Sequence, residues 1–111
     1  DYREGLAFQD DLVDTTERMF DDVDVILNLS SGGEAMVGLE TPDRPDNCLI
    51  WTFARVPALG VPAFQGPLKL PFGAQLVARR YDDYGLMEFA DLLAQKGVIG
   101  QGPYPDLPII E

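Results

Sequence analysis

The order of residue patterns along this chain predicts an α/β fold, a mixed sheet covered by helices. Three observations carry that reading. Helical spacing appears near both ends of the chain, at Leu12, Thr16, Met19 and Phe20 and again at Leu86, Phe89, Ala90 and Leu93. Between these stretches lie short apolar runs of the kind that form buried strands. Clusters of Pro and Gly punctuate the runs, so the chain must turn between them.

The first element is an amphipathic surface helix over residues 8–22, with acids between its inward positions. Residues 24–29, Asp-Val-Ile-Leu-Asn-Leu, then read as a strand buried on both faces. Ser30-Ser31-Gly32-Gly33 ends it in a loop, and 34–45 is irregular, with a turn-forming cluster at Thr41-Pro42-Asp43-Arg44-Pro45. Asp46 is the expected N-cap of a short helix carrying Cys48, Leu49, Ile50, Trp51 and Phe53. Pro57 should stop that helix, because the residue before a proline disfavours helical angles. Strands follow at 57–64 and 70–80, joined by Gln65-Gly66-Pro67-Leu68-Lys69, a link short enough for antiparallel pairing. Asp82 or Asp83 caps a last helix whose stop signal is Lys96-Gly97. The tail, with Pro103, Pro105 and Pro108, should be extended.

A strand at 24–29 that is apolar on both sides exposes unpaired backbone unless another strand covers it. The sequence therefore predicts missing neighbours, supplied by the same polypeptide or by a second chain. The start at Asp1, without Met or a signal pattern, fits a processed chain or a piece of a longer one.

Composition narrows the function. A length of 111 residues suits one domain or a portion of one, and 46% apolar residues can build a core. No apolar run reaches the length of a membrane span, so no membrane role is expected. Eight basic residues against nineteen acids leave a charge of −11, which repels phosphate backbones and argues against nucleic-acid binding. Much of the acid lies before residue 25, where Arg3 and Arg18 are the only bases. That region reads as a solvated helix face or as a docking surface for a basic partner. Cys48 is the only cysteine, so no intrachain disulfide can form, and a cytoplasmic setting fits. The chain has no histidine, which removes Ser-His-Asp and Cys-His catalysis and most zinc sites. No phosphate loop, metal-ligand cluster or dinucleotide fingerprint is present, so no cofactor is expected.

Several segments occur in the order found in one enzyme family. Gly33-Glu34-Ala35-Met36-Val37-Gly38-Leu39 is similar to a Gly-Glu-Ala-Pro-x-Gly-Leu segment. Trp51-Thr52 followed by Val56-Pro57-Ala58 resembles a Trp-Thr…Gly-x-Pro-Ala step. Leu70-Pro71-Phe72-Gly73-Ala74-Gln75-Leu76-Val77 resembles Leu-Pro-x-Gly-x-Gln-Leu-x, and Arg79-Arg80-Tyr81-Asp82-Asp83 the lead into a final helix. Together these resemble the C-terminal part of the amidase signature family, the serine amidohydrolases that include glutamyl-tRNA amidotransferase catalytic subunits. The resemblance spans residues 20–97. It departs at turns: Arg55, Phe64 and Lys69 stand where the family usually has Gly, and serines replace the proline after the 24–29 strand.

The resemblance implies an α/β/α fold with a mixed sheet and a parent enzyme that hydrolyses carboxamides through a Ser–cis-Ser–Lys triad. The triad lies upstream of the region matched here. Ser30-Ser31-Gly32-Gly33 echoes four residues of the family's Gly-Gly-Ser-Ser-Gly-Gly motif, but no lysine precedes Ser31. No catalytic residue is therefore expected in this chain, which on its own should be inactive. Ser30, Ser31 and Trp51 are the candidates for lining a substrate pocket. The implied partners are the remainder of the amidase domain, in the same or a companion chain, and a small amide substrate. On this reading residues 1–111 are one C-terminal segment: an acidic helix (1–23), a sheet core (24–97) and a Pro-rich tail (98–111). The competing reading is a non-catalytic scaffold or interaction module that binds a partner chain.

Overall fold

In a computed structural model, the structure describes residues 1–100. The expected extended tail lies outside the described residues. Among the described residues six elements follow in the predicted order: α1 (Tyr2–Met19), β1 (Val25–Leu29), α2 (Leu49–Phe53), β2 (Ala58–Gln65), β3 (Pro71–Ala78) and α3 (Asp83–Gln95). The strands form one sheet in the order β1-β3-β2. Both pairings are antiparallel, so the parallel component of the expected mixed sheet is not found among the described residues.

Helix α1 begins six residues before the expected start. Asp1 accepts hydrogen bonds from the amides of Arg3 and Glu4, and the Glu4 side chain reaches back to the cap, a reciprocal capping box. Its buried positions are Val13 and Thr16, with Leu12 partly buried; Met19, expected to face inward, is exposed. The Thr16 hydroxyl donates to the Leu12 carbonyl at 2.8 Å, which satisfies this buried polar group within the helix. Arg79 ties α1 to the end of β3 by pairing with Glu17 at 3.4 Å and Asp21 at 2.9 Å.

Strand β3 is the centre of the molecule. It is paired along both edges, and Leu76 and Val77 are fully buried on its opposite faces. Val77 packs with Phe20, Trp51, Ala54 and Val56 on the α1–α2 side. Leu76 packs with Val61, Ala74, Ala78 and Leu86 on the α3 side, where Phe89, Ala90 and Leu93 also lean on the sheet. The α3 stripe is the one the spacing predicts. Asp82 caps this helix by accepting from the Gly85 amide, and Gly97, at φ +69°, turns the chain after it.

Strand β1 is an edge strand and is not buried on both faces as expected. Leu27 is 67% exposed and Leu29 44%. The cause is coverage: α3 reaches Val25 but leaves Leu27 and Leu29 largely open. At the other margin, β2 shifts register between Pro62 and Phe64. Such a bulge twists an edge strand and interrupts its regular pairing.

Both ends of α2 differ from the expectation. Helix α2 starts at Leu49 with Cys48 at the N-cap position and no side chain capping it; Asp46, the expected N-cap, lies two residues earlier and accepts from the Cys48 amide at 3.0 Å instead. The helix ends at Phe53, before Pro57 can stop it, because Arg55 adopts φ +59°. Lys69 and Tyr81 also have positive φ, at +65° and +67°. Such angles cost a residue with a Cβ roughly 1 kcal/mol or more.

Leu76→Ala should reach the centre of this packing. We expect a loss of about 3 kcal/mol of stability, read as a lower midpoint in urea unfolding.

Candidate functional site

The two candidate serines sit at the end of β1, where the chain leaves the sheet and meets β3. The Ser30 amide and hydroxyl both reach the Gly73 carbonyl, at 3.0 and 2.7 Å. Gly73 is the residue this approach requires. A Cβ there would lie 2.8 Å from the Val61 carbonyl oxygen and 3.0 Å from Ser30 Oγ. Ser31 pairs with Asp46 in an isolated bridge, and its hydroxyl donates to the Gly33 carbonyl at 2.7 Å. Asn47 closes the corner, its side-chain amide donating to the Leu29 carbonyl at 2.7 Å.

The result is a shallow cleft of about 410 Å³ with Ser30, Ser31, Arg44 and Asp46 on one side and Phe72 and Gly73 on the other. Its floor is organised by Glu34, which sequence reasoning did not single out. Glu34 is 6% exposed, and its carboxylate accepts from the Leu68 amide at 2.9 Å and the Leu70 amide at 3.0 Å. These are amides of the β2–β3 connection, so one carboxylate joins the 30–47 loop to the hairpin. Gly66 makes room for it; a Cβ there would lie 2.2 Å from the carboxyl carbon. Arg44 Nε donates to the Glu34 carbonyl at 3.1 Å, fixing the loop from its other side.

Chemically, the cleft offers polar groups rather than a nucleophile. Each serine proton is already donated to a backbone carbonyl, whereas activation requires a base that accepts it. Trp51, the third candidate, is placed elsewhere. It is 9% exposed within the Phe20–Val77 cluster, and its indole N–H is buried without a hydrogen-bond partner among the described residues. The backbone thus brings Ser30 and Ser31 together and sets Trp51 in the core.

Cys48 lies exposed beside the cleft. Its thiol donates to Asp46 Oδ1 at 3.1 Å. That hydrogen bond lowers the Asp46 pKa and raises that of Cys48, because it favours the thiol and the carboxylate together. The thiolate is correspondingly disfavoured, which makes Cys48 a poor nucleophile near neutrality.

Two apolar surfaces lie away from this cleft. One is an open groove beside α2, lined by Leu49, Ile50 and Phe53. The other, about 270 Å³, lies between the sheet and α3 and includes Leu27, Phe64, Phe89 and Leu93. Among the described residues there is no cluster of His, Cys, Asp or Glu able to hold a metal ion, and no helix is long and apolar enough to cross a membrane.

No family model matches the sequence, and no curated protein matches it. A solved structure does match in fold. It belongs to work on an unexpected vestigial protein complex that reveals the evolutionary origins of an s-triazine catabolic enzyme. The TM-score is 0.71 at 21% sequence identity, over 89% of this chain and 24% of the other. This chain therefore spans about a quarter of the length of the chain it resembles.

Removing the Glu34 carboxylate in Glu34→Ala leaves the Leu68 and Leu70 amides without their acceptor. We expect a loss of about 2 kcal/mol in urea unfolding, with faster amide exchange confined to 66–70 and the 30–47 loop. Asp46→Asn should lower the apparent pKa of Cys48, moving the pH profile of its alkylation by iodoacetamide to lower pH.

Proposed function

We propose that this chain is the C-terminal, non-catalytic portion of an amidase signature hydrolase, whose bond-breaking residues lie in sequence outside these 111 residues. The observation that carries the reading is the fold match of 89% of this chain to about a quarter of a longer, enzyme-related chain. The motifs from Gly33 to Asp83 add to it: they fall in the expected order on a loop, a helix-to-strand step, the central strand and a helix cap. Arg55 and Lys69 support it further. They are two of the three residues standing where the resemblance expects glycine, and both keep the left-handed backbone that glycine favours, whereas the third, Phe64, lies in β2 without it.

In the complete enzyme, a carboxamide would be cleaved to a carboxylate and ammonia or an amine through an acyl-enzyme. The role of this segment is structural and steric. It supplies three strands and the covering α3, and its Ser30–Ser31 loop forms part of the pocket mouth. There the hydroxyl oxygens retain lone pairs able to accept from a substrate N–H. Residues 1–23, 24–97 and 98–111 act as acidic helix, sheet core and tail of that one segment, in a cytoplasmic enzyme.

A second reading is favoured by the description of the structural neighbour as a vestigial complex. On it the segment is a scaffold that has kept the fold and binds a partner chain without contributing to catalysis.

The test is ammonia release from simple aliphatic and aromatic carboxamides. The protein is purified from its source with any polypeptide that accompanies it, and its intact mass is measured. The amidase reading expects turnover by that preparation, a mass well above 12.2 kDa or a companion chain, and none by the 111-residue chain alone. Turnover by the isolated chain, or an inert preparation of 12.2 kDa, overturns it.

A further inference from the structure

We propose that the β1 margin, rather than the β2 margin, is where the sheet continues, and that its occupant is an extended segment of the polypeptide completing this fold. The segment is apolar at alternate residues and carries a lysine or arginine beside Asp24. This rests on the partial-fold reading above and names the edge and chemistry that reading leaves open.

Hydrogen-bond parity identifies the free groups. The Ser30 amide bonds to Gly73, directly across the β1–β3 ladder, and the Ala78 amide bonds to Pro57 of the facing β2 segment. In an antiparallel pair the residues alternate between bonding inward and outward. Ile26 and Asn28 therefore bond to β3, while the N–H and C=O groups of Val25 and Leu27 point away from the sheet. Leu29 shares that outward phase, and its carbonyl is already capped by Asn47. The open margin is thus bounded at one end by Asn47 and at the other by Asp24.

The β2 margin is blunted instead. Its outward phase contains Ala58, Gly60 and Pro62, and Pro62 has no N–H to offer. The Pro62 carbonyl accepts from the Gly100 amide at 3.5 Å, and the bulge follows directly. Proline, a bulge and a covering segment are the devices that protect an edge from pairing. β1 has no proline and no bulge.

The side chains agree with the backbone. Leu27 lies on the α3 face, two-thirds exposed, at the rim of the apolar cavity lined by Val25, Leu76, Phe89 and Leu93. One further strand would set an apolar side chain beside Leu27. Charge fixes the end of the occupant. Asp24, Asp82 and Glu88 border one cleft at the start of β1, and no described lysine or arginine pairs with any of them. A second copy of this chain fits less well, since pairing β1 with β1 antiparallel would bring its own Asp24 toward the Asn47-capped end and leave the acids unmatched.

The experiment is site-resolved hydrogen exchange on the protein purified with its accompanying polypeptide, together with photo-cross-linking from a benzophenone residue placed at Leu29. Exchange at the Val25 and Leu27 amides should be slower by about 100-fold or more than in an unstructured peptide, and Leu27→Pro should abolish the cross-link. Leu27→Pro spares the bonds of Ile26 and Asn28 to β3, and unchanged protection of those two amides shows the sheet is intact. Peptide-like exchange at Val25 and Leu27 overturns the proposal. A cross-link between two copies of this chain, or to a segment lacking a basic residue near Asp24, overturns the occupant. Fast edge exchange in a preparation that releases ammonia sinks this inference alone; slow exchange in an inert one sinks the amidase reading alone.

Discussion

The double coverage of β3 is the constraint on which the rest of the molecule depends. A strand paired on both edges and buried on both faces cannot slip by one residue without moving Leu76 and Val77 into each other's environments. With register fixed, Gly73 must fall opposite Ser30 and Gln75 opposite Asn28. The cleft, the corner closed by Asn47 and the outward phase of β1 all follow from that alignment. The cost is a buried polar row. Among the described residues the side-chain oxygens of Asn28 and Gln75 are both buried without a hydrogen-bond partner, on the same face as the Trp51 indole, whose N–H is likewise unpartnered, whereas buried polar groups normally find partners.

Glu34 has the second controlling role. Without it, the β2–β3 connection and the 30–47 loop would be two separate excursions from the sheet. Its carboxylate satisfies two amides that the turn leaves over, and Gly66 leaves space for it to enter. A charge-assisted bond of this kind is worth more than a neutral one, and burial strengthens it. The shape of the cleft around Ser30 and Ser31 is therefore set largely by a residue 34 positions before its hydrogen-bond partner Leu68.

Parts of this architecture were readable from residue order because their causes are local. The α3 stripe at Leu86, Phe89, Ala90 and Leu93, its Asp82 cap and its Gly97 stop all lie within one turn of what they control. The hairpin was readable for the same reason. The early start of α1 had a signal too, Asp1 with Glu4 three residues later, but the exposed Tyr2 and Leu6 do not continue the inward stripe. What was not readable depends on distant partners. Leu27 and Leu29 are apolar in sequence, yet only the reach of α3 decides whether they are covered. Glu34 sits in an irregular loop among many acids, and nothing local separates it from those facing water. Ser30 and Ser31 were found through a motif echo, while their actual neighbours, Phe72 and Gly73, come from the β1–β3 register.

Arg55 and Lys69 have a wider meaning. Each holds a dihedral that side chains resist, at a corner where the resemblance would place the one residue without a Cβ. A bend can thus be held by its surroundings even where the residue occupying it opposes the angle, so at such corners the neighbouring structure, more than the local residue, sets the path of the chain.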